Sequence, residues 1–374
     1  MEQPNITISL EPNMFVTKNG LLDKKHVAKT LSRMRKRSED YKDNSFYNNI
    51  EVILNVKNMP KIMDIMLGEK RKQSKNNIEP INDITDINPK EEALYNKWRS
   101  ELVKRITSQY GYKPTKDEIE NLASKNAAYV LSNMTTDRDS YKFNLGELNY
   151  VVKIAEKYIN GNNPKNYFEN QMFSILENII EELNKLDLLD EKFKSKGNND
   201  ISFKHDFYGN TYSKKGKCSF VYKGSIQEYK NLIKSKSNID YSMRFLNHDE
   251  FYTPEIIKDD YILTFNWIKD MKDIEELNPN AKMILIQETV KYSDIISKCE
   301  QYMCPKENLE IQTQTRKNLL EYEKYLKKTK SALANDIDEY LKGARCTFPD
   351  FNCINYNNCQ YYKKPGDPAF CVHA

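Results

Sequence analysis

The run KMILIQ, residues 282–287, with Glu288 directly after it, sets the architecture expected of this chain. Four large apolar side chains in six residues are too few for a helix, but they suit a strand buried on both faces. CSFVY (218–222) and YILTFNWI (261–268) have the same character, and helical spacing appears in SIQEYKNLIKS, DMKDIEELN and SDIISKCEQY. Strands alternating with helices of about ten residues predict a small α/β unit over residues 200–298, with a largely parallel sheet.

Outward from this unit the pattern becomes helical. In EEALYNKWRSELVKRITSQYG, Leu94, Trp98, Leu102 and Ile106 recur on one face. Thr115 with Glu118 three residues on forms a capping box. GELNYVVKIAEKYING ends at a glycine, and FENQMFSILENIIEELNKLDLLDEKF (168–193) reads as one long helix. These segments define a helical domain over 91–195. Residues 1–90 hold a basic helix, a strand NIEVILNV (49–56) and a polar linker, and residues 299–374 hold a long charged helix (roughly 307–343) and a cysteine-rich tail. The expected class is α+β, mixed: a mainly helical N-terminal half, a small α/β middle unit and an irregular, metal-stabilised C-terminal module. A chain of 374 residues suits two or three such domains.

Charged residues make up 30% of the chain yet cancel to a net +4, so only local clustering can announce a polyanionic partner. No apolar run is long enough to span a membrane. The start, MEQPNITISLEPNMF, lacks the basic flank and apolar stretch of a signal peptide. The expected location is intracellular, in the cytoplasm, where thiols stay reduced and clustered cysteines indicate metal more than disulfides.

Four of the seven cysteines lie in the tail CTFPDFNCINYNNCQYYKKPGDPAFCVHA: Cys346, Cys353, Cys359 and Cys371, spaced C-x6-C-x5-C-x11-C. The segment has almost no periodic apolar pattern, so metal binding must supply the free energy that orders it. Zinc is the first expectation, and a cysteine-ligated iron–sulfur cluster uses the same donors. Over residues 346–359 the spacing resembles a CCCH zinc finger, a family whose fingers stack bases on aromatics between their ligands. Lys363 stands where that family has its histidine, leaving Cys371 and His373 as the next donors. Cys299 and Cys304 precede the long helix and are weaker candidates, and Cys218 reads as core. An apolar stripe of Leu319, Tyr322 and Leu326 on the long helix is expected to receive the tail's aromatics.

A second cluster lies near the N-terminus. From Lys24 to Arg37 there are seven cations and no acid: Lys24, Lys25, Lys29, Arg33, Arg35, Lys36 and Arg37. Val27, Leu31 and Met34 recur at helical spacing and Asp23 is placed as N-cap, so the segment predicts an amphipathic helix with a basic face suited to phosphates. Other motifs are degenerate. GNTYSKKGKCS lacks the spacing of a phosphate-binding loop and precedes a strand. Asp259, Asp260 and Glu288, with Lys291 nearby, are considered as acids for a divalent ion, and His205-Asp206 and His248-Asp249 as dyads. The function expected is a nucleic-acid-binding protein, DNA included, serving replication or transcription of a mobile element or virus. The alternatives are a nucleic-acid-processing enzyme with a structural metal and a protein-binding scaffold.

Overall fold

The computed structural model describes residues 5–11, 23–41, 45–60, 88–109, 115–132, 136–161, 164, 167–190, 207, 209–213, 216–234, 239–246, 248–304 and 307–349. Among them the chain runs β1 (Asn5–Glu11), α1 (Lys24–Tyr41), β2 (Glu51–Pro60), α2 (Pro89–Gln109), α3 (Lys116–Ala127), β3 (Thr136–Asn144), α4 (Leu145–Gly161) and α5 (Tyr167–Lys185). It continues through β4 (Thr211–Tyr212), β5 (Lys217–Ser225), α6 (Ile226–Lys234), β6 (Asp240–Phe245), α7 (Tyr261–Asp273), β7 (Met283–Lys291), α8 (Tyr292–Tyr302), α9 (Leu309–Lys328) and α10 (Leu333–Leu341). Helices and two antiparallel sheets make the fold α+β. There are two compact units, each discontinuous in sequence: Met1–Asp86 with Asn133–His205, and Ile87–Ser132 with Asp206–Ala374.

In the first unit β2 is the central strand, antiparallel to β1 and β3. Val52, Leu54 and Val56 are fully buried and alternate with half-buried Ile53 and Asn55, so one face of the sheet forms the core. The register sets Leu10, Val52 and Phe143 in one row across the sheet and Ile8, Leu54 and Tyr141 in another. β3 falls where the sequence predicts helix. Its charged residues mask an alternation of buried Tyr141 and Phe143 with Lys142 and Asn144. The mainly helical N-terminal half is therefore corrected to helices with a three-stranded sheet. α5 also stops at Lys185, short of the expected 193. Asp187 takes φ 58°, and the N–H groups of Asp187 and Leu188 return to the carbonyls of Asn184 and Leu183 at 3.0 and 3.1 Å, a Schellman ending.

In the second unit the strand order is β4-β5-β7-β6, and KMILIQ begins the interior strand β7. Every pair is antiparallel, which corrects the largely parallel expectation. The reason is specific. β5, α6 and β6 form a crossover whose two strands run the same way, but β7 lies between them and opposes both. YILTFNWI is a second correction, since it is the start of α7 and not a strand. The Asp260 carboxylate accepts the N–H groups of Ile262 and Leu263 at 3.0 Å and starts the helix. Only part of the run is buried, because Tyr261, Ile262 and Phe265 are 82%, 69% and 59% exposed. Trp267 and Met271 turn inward and join Trp98, Leu102 and Ile106 of α2 and Leu122 of α3. The two indoles meet edge to face at 4.9 Å.

The expected helix over 307–343 is two helices, α9 and α10. Lys330 takes φ 54°, and the N–H groups of Lys330 and Ser331 bond the carbonyls of Lys327 and Leu326 at 3.1 and 2.9 Å. This is the Schellman ending again, here without glycine. Leu319, Tyr322 and Leu326 are fully buried, with Tyr322 stacked on Tyr212 of β4 at 5.9 Å and edge-on to Phe220 of β5 at 6.5 Å. The sheet thus packs on this stripe through Tyr322; the tail residues expected there beyond residue 349 lie outside the described residues. A left-handed lysine is strained, so Lys330→Gly should stabilise the protein by about 0.5–1 kcal/mol in urea unfolding. Unchanged or lower stability would contradict the strain.

Candidate functional site

α1 begins where the sequence places it. The Asp23 carboxylate accepts the N–H of Lys25 at 2.7 Å and of His26 at 3.4 Å. Val27 and Leu31 are fully buried and Met34 is half-buried. Lys24, Lys25, Lys29, Arg33, Lys36 and Arg37 are exposed. At 3.6 residues per turn, Lys25, Lys29, Arg33 and Lys36 fall within a sector of about 80° directly opposite the buried stripe, spread over about 16 Å of axis. Arg35 differs. It lies at the stripe's edge, 23% exposed, with its guanidinium 2.9 Å from the carboxylates of both Asp187 and Asp190. Its charge is spent inside the unit, where it anchors α1 to the turn after α5.

The second unit contains a buried polar cluster that sequence reading missed except for Glu288. Glu288 on β7 accepts from the Lys298 ammonium of α8 at 2.6 Å, with side chains 2% and 3% exposed. The Lys298 ammonium also lies 5.6 Å from the centre of the Tyr241 ring. Beside this pair, the Glu310 carboxylate in the first turn of α9 collects three donors: Ser225 N–H at 2.8 Å, Ser225 Oγ–H at 2.6 Å and Tyr129 O–H at 2.7 Å. Glu228 of α6 is equally buried, yet neither of its oxygens accepts an N–H or O–H from the residues around it; its hydrogen-bonding neighbour is Glu310. Two carboxyls meeting out of water can be satisfied only when one carries the proton. Burial, then the nearby Glu310 charge, holds Glu228 well above the usual carboxylate range, and burial raises Glu310 to about 7.

The acids considered for a divalent ion are not brought together. Glu288 is held by Lys298, Asp260 caps α7, and both Asp259 oxygens take the Arg105 guanidinium at 2.9 Å. Lys291 is exposed at the end of β7. No group of three or more metal-binding side chains occurs among the described residues. His248 bonds Glu250 while Asp249 pairs with Lys282 at 2.7 Å, so these neighbours form no dyad; His205 and Asp206 lie outside the described residues. The described ends of GNTYSKKGKCS enter β4 and β5, where Tyr212, Ser213, Lys217 and Cys218 line a pocket of about 230 Å³, small for a nucleotide.

Cys346 sits half-buried in a 3-10 turn, Arg345–Thr347. Cys353, Cys359, Cys371 and His373 lie outside the described residues. Burial pushes the thiols of Cys218 in β5 and Cys299 in α8 up to about 12, which suits core residues. Among the described residues no helix is long and apolar enough to cross a membrane. Comparison with protein families, curated proteins and solved structures finds no match to this chain.

The carboxyl pair has a pH signature. Both groups bind their proton more tightly folded than unfolded, so their stabilising effect is complete below about 4.5; the part due to Glu310 is lost as the pH rises through about 7, and the part due to Glu228 goes on being lost as the pH rises further. Urea unfolding at pH 5 and pH 8 should show this loss, on the order of 2 kcal/mol. Glu228→Gln, which keeps a donor toward Glu310 without the acid, should flatten the dependence and be the more stable protein at pH 8. An unchanged dependence in that variant would contradict the shared proton.

Proposed function

We propose that the protein binds nucleic acid through the basic face of α1, and that its C-terminal cysteines hold a metal that orders the tail. The observation carrying the first part is the sector of Lys25, Lys29, Arg33 and Lys36, exposed opposite the buried stripe of the same helix. A row of cations along about 16 Å of helix matches a phosphate backbone, where charge recurs every few ångströms. With Arg37 on its flank the face contacts phosphates and positions the protein without reading bases, while Lys24 falls beside the buried stripe. The small net charge of the chain does not oppose this, because screening makes the local field decisive.

The metal reading is supported by donor chemistry. Four thiolates suit zinc or an iron–sulfur cluster, and Cys346 is half-buried, unlike the core thiols Cys218 and Cys299. The group would fold the tail and leave phosphate binding to α1.

Replacing Lys25, Lys29, Arg33 and Lys36 together by Gln should weaken binding to any sequence. It should also flatten the plot of log affinity against log salt by about three to four units, near the full contribution of four phosphate contacts. Arg35→Gln should leave that slope intact and instead cost about 1–2 kcal/mol of stability, discounted for the partial exposure of its partners. Equal affinity and slope in the quadruple variant and the wild type would refute the interface.

A further inference from the structure

Helix α7 turns two kinds of residue outward on one face. Among the described residues the exposed large apolar side chains are Tyr261, Ile262, Phe265 and, at 36%, Leu320, so three of the four sit at the start of this helix. At 3.6 residues per turn, Tyr261, Ile262, Phe265, Lys269 and Lys272 fall within a sector of about 100° opposite the buried Trp267, along about 16 Å of axis. The face has an aromatic half and a basic half. Tyr261 and Phe265 stand one turn apart, and Lys269 and Lys272 follow, both exposed and neither paired with an acid among the described residues. The nearby acids are engaged elsewhere: Asp259 holds the Arg105 guanidinium at 2.9 Å, Asp260 caps α7, and Asp270 accepts from Lys97 at 2.5 Å and from the Trp98 indole at 2.8 Å. Asp273 is exposed just past the sector's edge, where Lys90 of α2 sets its ammonium on the Asp273 carbonyl at 2.5 Å.

The helix itself requires neither half. Its dipole favours a cation in the last turn, which accounts for Lys272 but not Lys269. Leaving two aromatics and an isoleucine in water forgoes the free energy of burying them, and exposed apolar patches of this kind mark binding surfaces. A second copy fits poorly. Three side chains supply at most about 500 Å² per partner, against the roughly 800 Å² of a stable interface, and the sector holds no acid to meet its lysines across a twofold axis.

We propose that this face of α7 binds single-stranded nucleic acid, with bases stacked on Tyr261 and Phe265 and phosphates held by Lys269 and Lys272. Aromatic faces accept any base, and they need bases that a duplex keeps paired and stacked. The surface is distinct from the basic helix α1, which has no Phe, Tyr or Trp between Lys24 and Arg37, and it stands whether or not α1 binds.

The test follows the fluorescence anisotropy of labelled oligo-dT and of a labelled duplex on titration with the full chain. Tyr261→Ala with Phe265→Ala should weaken oligo-dT binding about tenfold or more and leave duplex binding within about twofold. Lys269→Gln with Lys272→Gln should lower the salt slope for oligo-dT by about 1.4, from about 0.7 per phosphate contact. Unchanged oligo-dT affinity in the aromatic variant would overturn the proposal, as would equal losses on both probes. A wild-type dimer in sedimentation that the aromatic variant splits, with oligo-dT affinity intact, would assign the face to a second copy. Loss of oligo-dT binding only in the quadruple α1 variant would overturn the α7 surface and leave α1 standing; loss only in the α7 variants would do the reverse for single strands. Phe265→Trp guards against a folding defect, since it keeps the stacking surface and both native tryptophans are buried. It should bind oligo-dT as the wild type does, with its fluorescence quenched on binding. Binding without quenching would overturn the stacking.

Discussion

Two carboxyl groups meeting in a water-free interior impose the strictest condition on the second unit. Glu228 and Glu310 come from helices far apart in sequence, and they are tolerable together only with one proton between them and three donors aimed at Glu310. Much of the unit is arranged to meet that condition. Ser225, at the end of β5, donates twice to Glu310 while its hydroxyl accepts the Glu228 N–H at 2.9 Å and so starts α6. Gly224 precedes it because a Cβ there would strike the Glu228 carboxyl and the Ile286 side chain. Tyr129 is itself steadied by Asn308, the N-cap of α9, at 3.2 Å. The neighbouring Glu288–Lys298 pair ties β7 to α8 in the same interior. Buried ionic groups of this kind are costly to break and contribute little by merely existing, so their effect here is to specify which elements pack together.

That specification reaches the places where chemistry is proposed. Glu310 opens α9, whose stripe seats on β4 and β5, and α9 packs with α10 through the Arg316 guanidinium on the Leu341 carbonyl at 2.9 Å. α10 leads to Ala344 and Arg345, and α8 carries Lys298 at its middle and the Arg345 contacts at its end. The turn that holds Cys346 is therefore tied to α8 and α10, both of which pack on α9, the helix that carries Glu310. In the first unit the comparable anchor is Arg35 between Asp187 and Asp190. It fixes α1 while Lys25, Lys29, Arg33 and Lys36 stay on the outer face.

Where periodicity and capping agree, sequence and structure agree. The Thr115–Glu118 capping box forms as expected, with both reciprocal bonds. The α1 stripe is likewise buried, and β2, β5 and β7 lie where short apolar runs place them. The misreadings share a cause, which is that local pattern does not carry tertiary partners. YILTFNWI is mostly apolar, but an aspartate cap and burial of only Trp267 deep in the core make it a helix with an exposed face. β3 is too charged to look like a strand, and only the alternation of Tyr141 and Phe143 betrays it. The breaks after Lys185 and Lys328 use Asp187 and Lys330 in place of glycine, so no composition signal marks them. The carboxyl pair was not legible at all, since Glu228 and Glu310 meet only once β7 has separated β5 from β6.

The central claim is that nucleic acid lies along α1. Hydrogen–deuterium exchange of the full chain, with and without an oligonucleotide at moderate salt, tests it most directly. The account predicts slower exchange over Lys24–Tyr41 on binding, relieved by added salt. Binding that leaves α1 exchange unchanged while protecting other segments would contradict it.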